Sequence, residues 1–450
     1  MRLRLALAFV LVAVSFAQEK PQSDPIARME KIIQSYVADH KFMGSVLVAR
    51  DGKTLLDKGY GFANLEWQIP DTPTTKFRIG SITKQFTAAS ILLLEERGKL
   101  KTDDPVKKYM PDAPAAWDKV TIFHLLTHTS GIPSFTSFPD LPKRQLEAMT
   151  PQQLVDWFRD KPLEFEPGTK WNYSNSGYVL LGYLIEKISG QSYADFVQQN
   201  IFTPLGMKDS GYDSNSAIIE RRAAGYAPGK NGPENAGFVN MTVPLSAGGL
   251  YSTTEDLLRW EQGLFGGKLL SPASLAKMTT PFKEDYAFGL GVSSQGGHKA
   301  ITHDGGIQGF NTSMIYYPDE KLVIEVLANI NGPAAGQIAA ALGKVAHGEK
   351  VVLTSERKEI TLAPQVLQKY VGNYELTVQS QSFPFVITLE EGKLLAKLDN
   401  QPRFPIFPES EILFFYKIVD GQIEFIKDDK GAINGLVIHR NGRDTKGVKK

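Results

Sequence analysis

Gly80-Ser81-Ile82-Thr83-Lys84 leads into the run Phe86-Thr87-Ala88-Ala89-Ser90-Ile91-Leu92-Leu93-Leu94, and Gly98 follows the polar trio Glu95-Glu96-Arg97. The pattern predicts a helix that opens with a serine and a lysine, runs through the core, and stops with Gly98 in the left-handed position after its last turn. On a helix, residues three apart lie about 300° round and about 4.5 Å along, so the Ser81 hydroxyl and the Lys84 amine share one face. A serine hydroxyl is a poor nucleophile without an adjacent base, and a lysine serves as that base only if its charged form is disfavoured. The apolar run behind Lys84 supplies the desolvation that does this. The same spacing also suits a serine that merely caps a helix, so at this point a catalytic pair and a capping serine both stand.

Working outward, Pro25 starts an amphipathic helix in which Ile26, Met29, Ile33, Tyr36 and Val37 recur at helical spacing. Gly44 to Arg50 and Lys53 to Leu56 flank Asp51-Gly52, a strong hairpin signal. From about residue 101 to 245 the pattern is mainly helical with long loops. Within it, His124 and His128 are four apart; a shared metal would need a further ligand that the sequence does not place beside them, and the alternative is two structural histidines at a helix end. The polar loop Gly168 to Tyr178 contains Tyr173 and Asn175 and is expected to run into a helix at Val179 to Ile185. Thr253 or Thr254 caps the next helix, Tyr286 to Val292 is expected to be a strand, and His303 to Phe310 is placed between two more strands. Met314 to Tyr317 and Leu322 to Ala328 form a hairpin about Pro318-Asp319-Glu320-Lys321, and Gly336 to Ala346 is an alanine-rich helix.

Residues 347–362 are charged and linker-like. Beyond them six short alternating runs appear, Tyr370–Val378, Phe383–Leu389, Lys393–Leu398, Ile412–Tyr416, Gln422–Ile426 and Ala432–Arg440, which predict a small antiparallel barrel or sandwich. The 450-residue chain is thus expected to divide into a signal peptide at 1–17, a main domain at 25–346, a linker at 347–362 and an all-β domain at 363–450. Arg2 and Arg4, the apolar Leu5 to Val14, and Ser15-Phe16-Ala17 have the layout of a cleavable export signal, so a secreted or periplasmic mature protein is expected, with no membrane span after signal removal. The chain has no cysteine, hence neither a disulfide nor a lipid-anchored cysteine, and a net charge of +1 without basic runs gives no reason to expect nucleic acid.

Ser81-x-x-Lys84, Tyr173-x-Asn175 and His303-x-Gly305, in this order, resemble the serine β-lactamase-related family, which includes class C β-lactamases, D-alanyl-D-alanine carboxypeptidases, D-aminopeptidases and esterases. The resemblance spans about residues 25 to 345 and extends to His124 to Gly131 and Phe202 to Met207. It implies an α+β fold, an antiparallel sheet flanked by helices with a helical lobe, and a serine hydrolase working through an acyl-enzyme with no metal or cofactor. By the same resemblance Ser81 is the nucleophile, Lys84 its proton acceptor, and Tyr173 the proton shuttle, which calls for a lowered tyrosine pKa. Asn175 binds the substrate carbonyl and Lys84. His303, Gly305 and Gly306 border the substrate, with the Ser81 and Gly306 N–H groups as oxyanion hole. The expected substrate is a small molecule or peptide, with D-amino-acid-containing amides or esters favoured and cell-wall-derived peptides among the candidates. A class C-like β-lactamase and a non-catalytic penicillin-binding or sensor protein are the alternatives. One departure bears on that choice: many β-lactamases have Lys-Thr-Gly where this chain has His303-Asp304-Gly305, and a mostly neutral histidine is a weaker partner for a substrate carboxylate.

Overall fold

The computed structural model describes residues 24–378, 381–417, 421–440 and 443–450. The expected signal peptide lies outside them. The main domain is built on a six-stranded antiparallel sheet. Its strands are β1 (Gly44–Arg50), β2 (Lys53–Tyr60), β3 (Gly291–Gln295), β4 (His298–Ile307), β5 (Phe310–Tyr317) and β6 (Leu322–Ala328), in the spatial order β3-β4-β5-β6-β1-β2. The β1–β2 hairpin turns on Asp51 and Gly52, both at positive φ (50° and 75°), as the Asp-Gly pair predicts. Pairing of β1 with β6, Val46 opposite Val326, joins the two ends of the domain's sequence.

Two-residue periodicity sorts the central strands. Val46, Val48, Ile324 and Val326 face the helices α1 (Pro25–Ala38) and, near the end of the domain, Ala334–Ala346, while Leu47, Ala49, Val323 and Leu327 face the opposite core. Both faces are covered, so these strands are nearly continuous in apolar residues. Each fully buried aliphatic side chain contributes roughly 1.5–3 kcal/mol, and truncating one such as Leu47 to alanine would cost about 2–5 kcal/mol. On the second face lies α2 (Thr83–Glu96), where every residue from Thr83 to Leu94 is buried. A helix buried all round has to satisfy its polar side chains internally. Gln85 accepts from Trp260 Nε1 at 2.9 Å, Thr87 donates to the Ser246 carbonyl at 2.7 Å, and Ser90 donates back to Phe86 at 2.7 Å. This helix carries the candidate nucleophile on a fixed frame. It ends as expected, with Gly98 at φ 67°.

Three elements differ from expectation. The helix α3 (Asn175–Ser189) begins at Asn175 rather than Val179, because Ser174 caps it by accepting from Gly177 N at 3.3 Å. Tyr286 to Leu290 is irregular and the strand starts only at Gly291; Glu284, Asp285 and Gly289 all take positive φ, which a strand excludes. Residues 303–307 are themselves strand, the second half of β4, despite two glycines of low strand propensity, because β5 pairs with them from Phe310 to Met314.

The C-terminal region is a closed eight-stranded barrel rather than a sandwich: β7 (Gly372–Val378), β8 (Gln381–Glu390), β9 (Lys393–Leu398), β10 (Phe404–Pro408), β11 (Leu413–Tyr416), β12 (Gln422–Lys427), β13 (Ile433–Arg440) and β14 (Arg443–Lys449). Two of these escape the sequence pattern. Pro405 and Pro408 disguise β10, and β14 lacks apolar alternation, yet its pairing with β7 closes the barrel. Tyr370, Tyr374, Phe385, Phe414 and Phe425 fill the interior. The segment before the barrel is tied on both sides: Arg28 reaches Glu356 and the Val351 carbonyl, Arg357 bonds Glu409 at 2.7 Å, and Ile360 N donates to Pro408 O at 2.9 Å.

Candidate active site

Ser81 sits in a single 3-10 turn, Gly80–Ile82, that feeds directly into α2. No side-chain cap bond is made at this turn, so the capping alternative for Ser81 falls away. The turn lies against β4 with backbone on backbone. Gly80 takes φ +50°, and a Cβ there would stand 2.7 Å from Gly306 N; a Cβ at Gly305 would stand 2.0 Å from the Ile79 carbonyl oxygen. Any side chain at either position would push the serine turn off the strand.

Lys84 is fully buried, and its Nζ has three oxygen neighbours: Ser81 Oγ at 3.1 Å, Asn175 Oδ1 at 2.8 Å and the Ala247 carbonyl at 2.8 Å. Burial pushes its pKa well below the ordinary lysine value. A neutral amine has two hydrogens and one lone pair. The carbonyl of Ala247 and Oδ1 of Asn175 only accept, so they take both hydrogens, and the lone pair is left for the Ser81 hydroxyl proton. Asn175 is itself fixed, its backbone N donating to Ser134 Oγ at 3.1 Å and its Nδ2 to Thr136 Oγ1 at 3.2 Å.

Tyr173 lies over this amine, its ring centroid 4.8 Å from Lys84 Nζ, and its hydroxyl is hydrogen-bonded to Ser81. The expectation of a lowered pKa is corrected: burial drives the phenol upward, and the Ser81 bond only partly opposes this, so Tyr173 is a protonated phenol at neutral pH. A group of rings that the sequence did not single out as part of the site surrounds it. His128, at φ +58°, packs at a tilt with its ring centroid 4.3 Å from that of Tyr173 and 4.7 Å from that of Tyr286, and accepts at Nδ1 from Ser174 N at 3.1 Å. Its partner in sequence, His124, instead completes a capping box with Thr121, so the two histidines do not face a common ligand.

His303 donates from Nδ1 to its neighbour's carbonyl, Asp304 O, at 2.7 Å, which leaves Nε2 as acceptor for the Tyr286 hydroxyl at 3.1 Å. Burial lowers its pKa to about 4, so the ring is neutral. Gly305 and Gly306 follow on the same strand. β3 pairs only with residues 298–302, so among the described residues 303–307 have a strand partner on one side alone. That free edge borders a cleft of about 400 Å3 containing Ser81, Asn175 and Gly306. Phe135, Leu141, Val239 and Val243 make it apolar, Gln145, Gln308 and Asn331 supply amides, and none of its described lining residues is charged. His303, Lys84 and Tyr173 are not among the residues lining it. A separate hollow of about 450 Å3 at the far end of α2, between Glu95 and Lys277, holds none of these residues.

The Beta-lactamase family profile matches residues 29–347, and the chain belongs to that family. It is a serine hydrolase of the β-lactamase fold. A domain of unknown function, DUF3471, matches residues 356–449, the barrel. Penicillin-binding protein 4* of Bacillus subtilis is 30% identical over 448 residues, covering 94% of this chain and 98% of its own. The octameric penicillin-binding protein homologue from Pyrococcus abyssi superposes with TM-score 0.68 at 28% identity, over 94% of this chain and 99% of its own. The D-amino acid amidase from Ochrobactrum anthropi SV3, complexed with D-phenylalanine, superposes with TM-score 0.65 at 25% identity, over 72% of this chain and 99% of its own.

Proposed function

We propose that the protein is an exported hydrolase that cleaves amide or ester bonds of D-amino-acid-containing substrates through an acyl-enzyme on Ser81. The observation that carries this reading is the Lys84 amine, fully buried and bonded so that its lone pair is directed to Ser81 Oγ. In the reaction, Lys84 takes the Ser81 proton as Oγ attacks the substrate carbonyl carbon. Negative charge develops on the carbonyl oxygen, against the backbone N–H groups of Ser81 and Gly306; one such donor is worth roughly 2.7–4 kcal/mol in the transition state. The tetrahedral adduct collapses as the C–N or C–O bond breaks, and the leaving group takes its proton from the Tyr173 hydroxyl. A protonated phenol suits that donation. Tyr173 lies over Lys84, its ring centroid 4.8 Å from Nζ, so once the leaving group has taken the phenol's proton the lysine's gained proton passes to the phenolate directly, Ser81 being acylated at that stage. Water then releases the acyl group and restores Ser81.

The uncharged cleft favours neutral amides and esters over β-lactams, whose carboxylate meets no cation on its lining. The amidase neighbour, solved with D-phenylalanine, points the same way. A panel of D-phenylalanine amide, its L-isomer, an aryl ester and a chromogenic cephalosporin, each with wild type and Ser81→Ala, tests this. The expected order is D-amide and ester well above cephalosporin, all abolished in Ser81→Ala. Cephalosporin turnover exceeding that of the D-amide and the ester would replace the proposal with a β-lactamase, and full inertness of the wild type would replace it with a binding protein.

A further inference from the structure

At the end of β4 away from Ser81, three side chains from separate elements converge. His298 begins β4, Glu320 lies in the turn between β5 and β6, and His347 caps the helix α4 (Ala334–Ala346) at its C-terminus. His298 Nδ1 is 2.5 Å and His347 Nε2 is 3.8 Å from the same oxygen, Glu320 Oε1, and the three ligand atoms all lie within 4.8 Å of one another. About 17 Å of strand separates His298 from His303, so this cluster is no part of the serine site.

A simple His298–Glu320 ion pair leaves the cluster unfinished. The side chain of His347 is only 5% exposed and its Nε2 is buried without a hydrogen-bond partner; the second carboxylate oxygen of Glu320 is buried and unpartnered as well. Two buried polar atoms left without a partner in one cluster are costly unless something joins them. We propose that His298, Glu320 and His347 bind one divalent ion of the zinc class, which clips the β3–β4 and β5–β6 turns to the end of α4, where the chain leaves for the barrel.

Two imidazoles and a carboxylate are a donor set that zinc favours over calcium or magnesium, and zinc accepts them at about 2.0–2.2 Å in a tetrahedron whose corners are about 3.4 Å apart. The present separations bracket that spacing. The two rings now stack face to face, 3.6 Å apart and 8° from parallel, so a shared ion requires one of them to turn. His298 is the one free to do so, at 35% exposure against 5% for His347, which packs edge-on against Tyr317. Arg50 lies close enough to oppose a cation, but Glu320 and Glu349 also act on His347, two carboxylates against one guanidinium. The fourth position falls to water or to the exposed Glu349.

The test is equilibrium dialysis of the chelator-washed, full mature protein against 10 µM Zn2+ (a test condition, about the level that a specific zinc site saturates). Metal content is read per chain, and Co2+ is used in a parallel sample for its tetrahedral absorption bands. The expected result is about one zinc per chain in wild type, falling at least tenfold in both His298→Ala and Glu320→Gln. These two residues are partly exposed, and aryl-ester hydrolysis through Ser81 checks that each variant is folded. Stoichiometric zinc that survives both substitutions would overturn the proposal, and so would wild type that retains no metal.

Discussion

Lys84 and the pair Glu261–Glu325 are ionisable groups buried in the same core, yet their surroundings are opposite. The lysine has three oxygen partners within 3.1 Å, whereas neither carboxyl has a hydrogen-bond partner among the described residues. Glu325 occupies a position on β6 whose same-face neighbours are Val323 and Leu327, where alternation calls for an apolar residue. Burial raises both carboxyl pKa values, that of Glu261 to about 8, and the charge of Glu261 adds to the rise at Glu325. Burial alone therefore makes a neutral group, and partners decide what that neutral group can do. Lys84 becomes an amine held in one orientation; the glutamates become a store of instability that appears when they ionise.

The sharpest way to break the contrast is Lys84→Met. The base is lost, so acylation of Ser81 should fall by about 10³-fold or more. Removing a buried amine is favourable and leaving the Ala247 and Asn175 acceptors unbonded costs about 1–3 kcal/mol, so stability should stay within about 2 kcal/mol of wild type. Ester kinetics and denaturant melts on the same sample measure both. A variant that lost stability heavily would show the lysine to be a structural strut.

For the glutamates the sign runs the other way with pH. Their folded pKa values lie above the unfolded value of 4.5, so the folded state holds protons that the unfolded state has released. Stability is greatest below about pH 4.5 as far as this pair is concerned, and the contribution is lost as pH rises towards and through about 8. The double variant Glu261→Gln, Glu325→Gln should flatten that decline by roughly 4 kcal/mol, measured as the difference between urea melts at pH 5 and pH 9. Parallel pH profiles for wild type and double variant would dispose of the idea.

A smaller effect is expected from Tyr286→Phe, which removes the donor to His303 Nε2 and leaves a buried acceptor bare. A loss of about 1–2 kcal/mol in stability and a several-fold drop in activity are expected, from melts and steady-state kinetics. A wild-type melt with a thousandfold loss of rate would instead move Tyr286 into the proton path.

The sequence carried the constellation because its chemistry is written in side chains at short spacings: Ser81 with Lys84, Tyr173 with Asn175, His303 with Gly305. It carried the central sheet too, where β1, β5 and β6 are apolar and separated by clear turns. What it hid depends on backbone or distance. The Ala247 carbonyl that fixes the lysine is a main-chain atom 163 residues from its partner, and no residue type marks it. Tyr286 looked like the start of a strand because the positive-φ residues before it, Glu284 and Asp285, are not glycines. In the barrel, β14 has the composition of a surface segment and becomes a strand only because β7 and β13 lie beside it. The direction of the Tyr173 shift was missed for a related reason: proximity to an amine lowers a phenol's pKa only if that amine is charged, and here burial keeps it neutral.

The most direct measurement is the intact mass of the protein through a time course with an activated ester, at several pH values, for wild type, Ser81→Ala and Lys84→Met. The account predicts one acyl group on wild type, located on the peptide containing Ser81 and formed at a rate that rises with pH through a group titrating well below an ordinary lysine. It predicts no adduct on Ser81→Ala and a vanishingly slow one on Lys84→Met. An adduct of equal rate on all three, or one located away from Ser81, would contradict the central claim that this serine and its neutral lysine are the reacting pair.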